Sequence, residues 1–559
     1  MSATPGPAVP AEETKPTMTG AVPLVPLGRP QVAAAARLAA AAARHPIRLA
    51  GAGVRLTGEL ASAATGEPKR APQPGDRRFA DPAWVENPLY RRLLQGYLGA
   101  TAVADDTVAQ LGLDPKSEDR ARFVVGQVVD ALAPTNTVLG NPVALRKAVA
   151  TRGSSLAKGA RAFAGDIVGN GGMPQTVDRR PFRLGETIGT TPGAVVLRTE
   201  VFELLQYTPT TPTVGAVPIV FIPPEISRHY ILDLSPGRSL VEFLVGEGHH
   251  VFVISWRNPT PAHRDWNLDT YVAASLEGVT TAAVISGSPD VHLVGACAGG
   301  ITAAALAGHL AATGERRVRT LTFLVTVLDT AAETMASLFL SEWSAAMAVR
   351  SSKRTGVLKG RQLTRMFAWM RPNDLVWNYW VSNYLLGQDP PAFDVLAWNA
   401  DMPNMTAGLH ADFASLFLEN PFPEPNKLTV LGTPIDMSKV DQDTYVLAAL
   451  TDHITPWEAC YRTIGILGGS SRFVLSSSGH IQAIVNPPTN KKANYRAADE
   501  PGPDTAAFFT NAERIAGSWW TEWSTWLSAR DGETRRAPRT LGDKGHPVLD
   551  AAPGRYAAS

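Results

Sequence analysis

The stretch DVHLVGACAGG, residues 290–300, constrains this chain more than any other. An apolar run leads into Gly295-Ala296-Cys297-Ala298-Gly299-Gly300, and the helical pattern ITAAALAGHL follows at once. Glycine stands two residues before and two after the cysteine, the spacing of a strand-to-helix turn that presents a nucleophile. Such a turn strains its central residue and leaves no room for side chains at Gly295 and Gly299. The helix start behind it favours negative charge, so a thiolate or an oxyanion is stabilised there. With two cysteines and 48 glycines in 559 residues, the spacing would arise by chance far less than once. The competing reading of Cys297 is a buried structural thiol.

Around this turn, from about residue 190, short continuous apolar runs alternate with helical patterns. AVPIVFIPP, HHVFVISW, VRTLTFLVTVLD, DTYVLAALTD and SRFVLSSSGH read as strands, and SPGRSLVEFLVGEG and GITAAALAGHLAATG as helices. Strands of this kind separated by helices predict an α/β fold with a parallel sheet covered on both faces. The alternation breaks between about 330 and 430. Residues 331–430 hold 13 of the 42 aromatics and 6 of the 10 methionines in under a fifth of the chain. That insertion reads as a helical lid over an acyl-binding site, or as a helical subdomain with its own core. Upstream, Phe123, Val124, Val128, Val129 and Leu132 recur at helical spacing. The expected organisation is a flexible Pro/Ala-rich lead-in over 1–75 and a helical domain over 76–190. A catalytic domain follows over 191–530, with the lid inserted at about 330–430, and then a tail over 531–559.

A cysteine nucleophile needs a base. In a sheet of this kind the acid and then the histidine follow the nucleophile along the chain. His480 ends the strand SRFVLSSSG, directly after Gly479, where that histidine belongs. Asp452 ends YVLAALT in the loop Thr451-Asp452-His453-Ile454-Thr455-Pro456, where the acid belongs. It is also placed to cap a helix opened by Pro456, and the two roles are compatible. Asp329, at the end of the preceding strand, is the alternative acid. His453 reads as an accessory residue, and His546 falls in the polar tail. Cysteine in place of serine keeps a transferred acyl group activated, because one thioester replaces another. That suits transfer to an alcohol better than hydrolysis, provided that water is kept out.

Composition narrows the field. Lys+Arg 52 against Asp+Glu 51 leaves no basic field that would favour nucleic acid. Two cysteines, Cys297 and Cys460, exclude a disulfide framework and a cysteine-rich zinc site, and fit a reducing cytoplasm. Cys460, inside PWEACYRTIGIL, reads as a small buried hydrophobe. The first residues carry Glu12 and Glu13 in place of a basic and then apolar leader. The Ala/Leu stretch from Val32 to Ala43 is broken by Arg37 and is too short for a membrane span. No phosphate-cradling glycine loop is spelled in the chain. The run holding Arg350, Lys353, Arg354, Lys359, Arg361 and Arg365 reads as a solvated face, or as a contact for the phosphates of a ligand. Trp519, Trp523 and Trp526 form a helical stripe expected to pack a terminal helix on the sheet.

Together, GACAGGITAAALAGHL, TDHITPWEACYR and LSSSGHIQAIVNPP resemble the polyhydroxyalkanoate synthases. So do FIPPEISRHYILDLSPGRSLVEFL, ISWRNPTPAHRDWNLDTY, MRPNDLVWNYWVSNYLLGQDPPAFDVLAWN, FADPAWVENPLYRRLLQGYL and APTNTVLGNP. The resemblance runs in order from about residue 78 to 530, and its length and spelling look most like the medium-chain-length type. It implies an α/β-hydrolase fold and an enzyme that polymerises (R)-3-hydroxyacyl-CoA with release of coenzyme A, using no other cofactor and no metal. Cys297 is implied as the carrier of the growing chain and His480 as the base. Asp452 either supports His480 or activates the 3-hydroxyl of the incoming unit. The backbone N–H of Ala298 and one near Ile226, after the FIPP strand, are implied as the oxyanion hole, although Pro223 and Pro224 beside it have no N–H to offer. Trp398 falls in a motif associated with the lid and subunit contacts, or else packs in the core. The implied partners are the growing polyester, the surface of a cytoplasmic granule with its associated proteins, and a second copy of the chain. Two other functions fit the same residues: a hydroxyacyl-CoA thioesterase or single-step acyltransferase, and a non-catalytic scaffold that binds the granule.

Overall fold

The computed structural model describes residues 45–331, 342–499, 501–502 and 504–559. The apolar runs become strands of one large sheet. They are β1 (Gly193–Arg198), β2 (Phe202–Tyr207), β3 (Ile219–Ile222), β4 (Val251–Trp256), β5 (Val291–Ala296) and β6 (Val318–Leu324). After the insertion come β7 (Asp443–Ala449), β8 (Ser471–Ser476), β9 (Asn494–Asp499), β10 (Glu513–Ala516) and β11 (Asp550–Ala551). Across the sheet the order is β10-β9-β8-β7-β6-β5-β3-β4-β2-β1-β11. The six strands from β8 to β4 run parallel, and the pairs outside them are antiparallel.

Strict alternation along each strand explains the burial of both faces. Val220 and Ile222 of β3 join one core with Leu293 of β5 and with the helices Leu268–Ser286 and Ala298–Thr313. Ile219 and Phe221 join the opposite core with Val294, the helix Leu240–Gly246 and the helix Trp519–Ser528. The tryptophan stripe sits where it was expected: Trp519 and Trp523 are fully buried, and both, with Trp526, meet Tyr445 of β7. Connections that leave the parallel strands at their carboxyl ends converge on one edge, the place where open α/β sheets build their sites. The loops after β3, β5, β7 and β8 all lie there.

Two expectations need correction. The lead-in holds a helix, Pro46–Thr65, started by a proline in its first turn and closed by Gly66 at φ +79°. It packs on the helix Pro88–Ala109, where Leu60 and Ala63 approach Gly96. Its alanines and leucines carry the helix propensity that the Pro/Ala composition concealed. Residues 1–44, including the Val32–Ala43 stretch, lie outside the described residues. Residues 531–559 are not a free tail. Thr534–Arg536 pairs with Thr213–Gly215, β11 extends the main sheet beside β1, and Arg228 holds the backbone oxygens of Tyr556 and Ser559. Backbone ladders and arginine contacts hold this segment, so it needs no apolar periodicity.

The insertion between β6 and β7 is helical over its described part. It contains the helices Glu342–Thr355, Gly360–Met370, Asp394–Asn399 and Ala407–Glu419, with two π-helical turns at Asn373–Trp377 and Trp380–Leu385. The N-terminal helices support it. Gln127 Nε2 donates to the Trp369 carbonyl at 3.2 Å, Trp380 Nε1 to that of Asn136 at 3.0 Å, and Tyr384 Oη to Asp166 at 2.7 Å.

Candidate active site

Cys297 leaves β5 with φ +49° and ψ −117° and stands immediately before the helix Ala298–Thr313. That is the strained turn its flanking glycines require. A Cβ on Gly295 would lie 2.6 Å from the Gly300 Cα, and one on Gly299 would lie 2.2 Å from the Ile222 carbonyl oxygen. The first would push the turn off the following helix, and the second would push it off β3. The backbone N–H groups of Ala298 and Ile226 donate to no other group among the described residues, and both residues border the cavity that Cys297 enters.

Asp452, after β7, and His480, after β8, come together beside the cysteine. His480 Nδ1 lies 2.6 Å from Asp452 Oδ2, and because a carboxylate only accepts, the ring N–H donates. The Asp452 side chain has no exposed surface. Its Oδ1 accepts from the backbone N–H groups of Ile454 and Thr455, at 2.8 and 3.0 Å, and its Oδ2 also accepts from Thr455 Oγ1 at 2.7 Å. Burial disfavours the His480 imidazolium. The Asp452 carboxylate and then Cys297, which also hydrogen-bonds the ring, outweigh it and push His480 up to about 10. Burial would raise the Asp452 carboxyl, but the charge and hydrogen bond of His480, helped by Thr455, hold it below its ordinary value. Such a cluster can hold a thiolate beside an imidazolium and attack an acyl carbon.

The cysteine opens into an apolar cavity of about 280 Å³. Its far wall comes from the insertion, with Met366, Phe367, Met370, Phe413 and Phe417 among the lining residues. Part of the cluster of methionines and aromatics, with Met405, lies here. His410 also lines the cavity, with its Nδ1 2.9 Å from Ser352 Oγ. Sequence reasoning passed over it, as it passed over Thr455, whose hydroxyl touches both Asp452 and His480.

The remaining candidates are accounted for differently. Asp329 is engaged elsewhere, by Arg462 Nε at 2.6 Å and Asn420 Nδ2 at 2.8 Å. Asp452 does not cap the next helix, which begins at Trp457 after Pro456. His453 faces Arg371 and Asp374 of the insertion, and burial followed by the Arg371 charge pushes it down to about 4. Cys460 is fully buried, and burial keeps its thiol protonated. Arg350, Lys353 and Arg354 border an open groove on the outer side of the helix Glu342–Thr355. Trp398 is 5% exposed and donates from Nε1 to the Arg228 carbonyl at 2.8 Å, so its ring packs inside its own chain. Trp398→Ala should lower the free energy of unfolding by about 3–5 kcal/mol. A denaturant titration that found no loss would contradict this placement. Among the described residues, no three His, Cys, Asp or Glu side chains are grouped to hold a metal ion.

Two family models match the chain. One, described as poly-beta-hydroxybutyrate polymerase N-terminus, covers residues 75–244, and one described as alpha/beta hydrolase fold covers residues 231–487. The chain is 46% identical over 539 residues to poly(3-hydroxyalkanoate) polymerase 1 of Ectopseudomonas oleovorans, covering 96% of each. It is 46% identical over 514 residues to polymerase 2 of that organism, covering 92% of each. To the poly(3-hydroxyalkanoate) polymerase subunit PhaC of Cupriavidus necator it is 37% identical over 488 residues, covering 86% of this chain and 82% of the relative.

Proposed function

The chain belongs to the poly(3-hydroxyalkanoate) polymerase family, and from that premise we propose that it joins (R)-3-hydroxyacyl units from coenzyme A thioesters through a thioester on Cys297. In this reading the Cys297 thiolate attacks the substrate carbonyl, and the oxyanion is received by the N–H groups of Ala298 and Ile226. The intermediate collapses with loss of the coenzyme A thiolate, which takes the proton held by His480. The 3-hydroxyl of another unit then attacks the Cys297 thioester and gives its proton to His480, forming the ester bond and freeing the thiol. One observation carries the reading: the cysteine of a strained turn, beside a buried His–Asp pair, faces an apolar cavity. An apolar wall limits water at the thioester and favours transfer over hydrolysis. The polyester product would keep the enzyme at the surface of a cytoplasmic granule, among granule-associated proteins and paired with a second copy.

The test is release of coenzyme A from the purified protein across 3-hydroxyacyl chain lengths, with the product sized afterwards. High-molecular-mass polyester is expected; free hydroxy acid would mean a thioesterase. The cavity should set chain length. Leucine at Ala414, which lines it, should lower kcat/KM for the longest acyl groups about tenfold or more relative to the shortest. A uniform loss across chain lengths would mean that the acyl group lies elsewhere.

A further inference from the structure

The proposed reaction leaves one deeply buried ionisable group at the site without a task. Glu225 stands between Pro224 and Ile226 in the loop after β3 and is 3% exposed. Its Oε1 accepts from Thr302 Oγ1 at 2.6 Å, and its Oε2 is buried with no hydrogen-bond partner. An acid held this way costs stability that an apolar side chain would not. Thr302 stands five residues after Cys297, on the helix that begins with Ala298. The bond therefore ties together the two segments that carry the free N–H groups of Ile226 and Ala298. The loop has few other means of fixing itself, because Pro223 and Pro224 have no N–H. Its Pro223 carbonyl is held from outside by Trp256 Nε1 at 2.7 Å.

We infer that Glu225, acting through Thr302, is a positioning residue that sets the Ile226 N–H relative to the Ala298 N–H and so determines how well the pair receives the oxyanion. The inference rests on the acyl transfer proposed above. It also makes the site sensitive to the charge on Glu225. Burial pushes this carboxyl up to about 7, and the Thr302 hydrogen bond lowers it by less. Tyr271, on the helix Leu268–Ser286, is the titratable group that feels the Glu225 charge, and burial first and then that charge keep its phenol protonated. Among the described residues no cation offsets the carboxyl. Below about pH 7 the side chain is neutral. Above it a negative charge stands close to where the oxyanion must form, and acyl transfer should slow.

The experiment follows burst release of coenzyme A from an (R)-3-hydroxyacyl-CoA by the full chain between pH 6 and 8.5. It compares the parent protein with Glu225→Gln, Thr302→Val and Thr302→Ser, and measures alkylation of Cys297 by iodoacetamide in parallel. Thr302→Val should lose about 10–100-fold in kcat with little change in KM, and Thr302→Ser should recover it. Alkylation, which builds no oxyanion, should keep its rate. Glu225→Gln is neutral at every pH and should lose the alkaline decline, so its rate relative to the parent should climb about tenfold between pH 6 and 8. A flat ratio, or parent-like kcat in Thr302→Val, overturns the inference while the acyl transfer stands. A parent protein that releases no coenzyme A, or releases it without Cys297, overturns both. If valine at 302 unfolds the chain, the isosteric Glu225→Gln profile decides alone.

Discussion

Cys297→Ala should reduce coenzyme A release to background, a loss of about 10⁴-fold or more, and leave no protein-bound acyl group. No second thiol can substitute. Cys460 is fully buried, and burial keeps it protonated. The variant should stay folded, because alanine is tolerated sterically and the strained φ of +49° belongs to the turn whatever residue occupies it. Cys297→Ser should also fail. A serine hydroxyl is far harder to ionise than a thiol, and its ester would hold the acyl group with less activation than a thioester. The readout is coenzyme A release in a single mixing experiment, with intact-protein mass to count acyl groups. Cellular polymer content left unchanged by Cys297→Ser would favour the scaffold reading.

The parts of the site legible in the sequence were those whose chemistry is spelled locally. Glycines two residues on either side of a cysteine declare the turn, because Gly295 and Gly299 meet backbone atoms at distances no Cβ survives. Asp452 and His480 stood at the ends of apolar runs that could only be strands, in the chain order a parallel sheet imposes. The lid was legible as composition, and Met366, Met370, Met405, Phe367, Phe413 and Phe417 of the insertion do line the cavity. Its support was not. Bonds such as Tyr384 to Asp166 join residues more than two hundred positions apart, and nothing in either neighbourhood announces the other.

Glu225 shows the same limit more sharply. In the sequence it is one acid after two prolines. Only burial and the approach of Thr302, 77 positions away, give it meaning. The misread termini have a different cause. A Pro/Ala-rich segment was taken for a flexible one, although Pro46 opens the helix Pro46–Thr65 and the alanines within it favour that helix. The segment after residue 530 is held by backbone pairing, by arginines and by Asp531, which meets His292 at 3.1 Å. None of these leaves a periodic trace.

Asp452→Asn should slow both the first release of coenzyme A and every later turnover by about 10³–10⁴-fold. The geometry favours one of the two roles open to this residue. Both carboxylate oxygens are occupied, by His480, Thr455 and the backbone of residues 454 and 455, and the side chain has no exposed surface. That arrangement supports a role for Asp452 through His480 rather than on the 3-hydroxyl of an incoming unit. Asparagine offers an N–H where the imidazole needs an acceptor, which turns the ring to the tautomer that cannot take a proton on the nitrogen facing Cys297. The residual activity should also change with pH in a defined direction. Asp452 is the strongest influence holding the His480 proton up to about 10. Without that charge the imidazolium loses its proton earlier, and the alkaline limb of the burst rate should move toward neutral pH. Rapid-quench measurement of the burst separates the alternatives. A normal burst followed by arrest would assign Asp452 to the hydroxyl, whereas loss of the burst itself assigns it to the histidine.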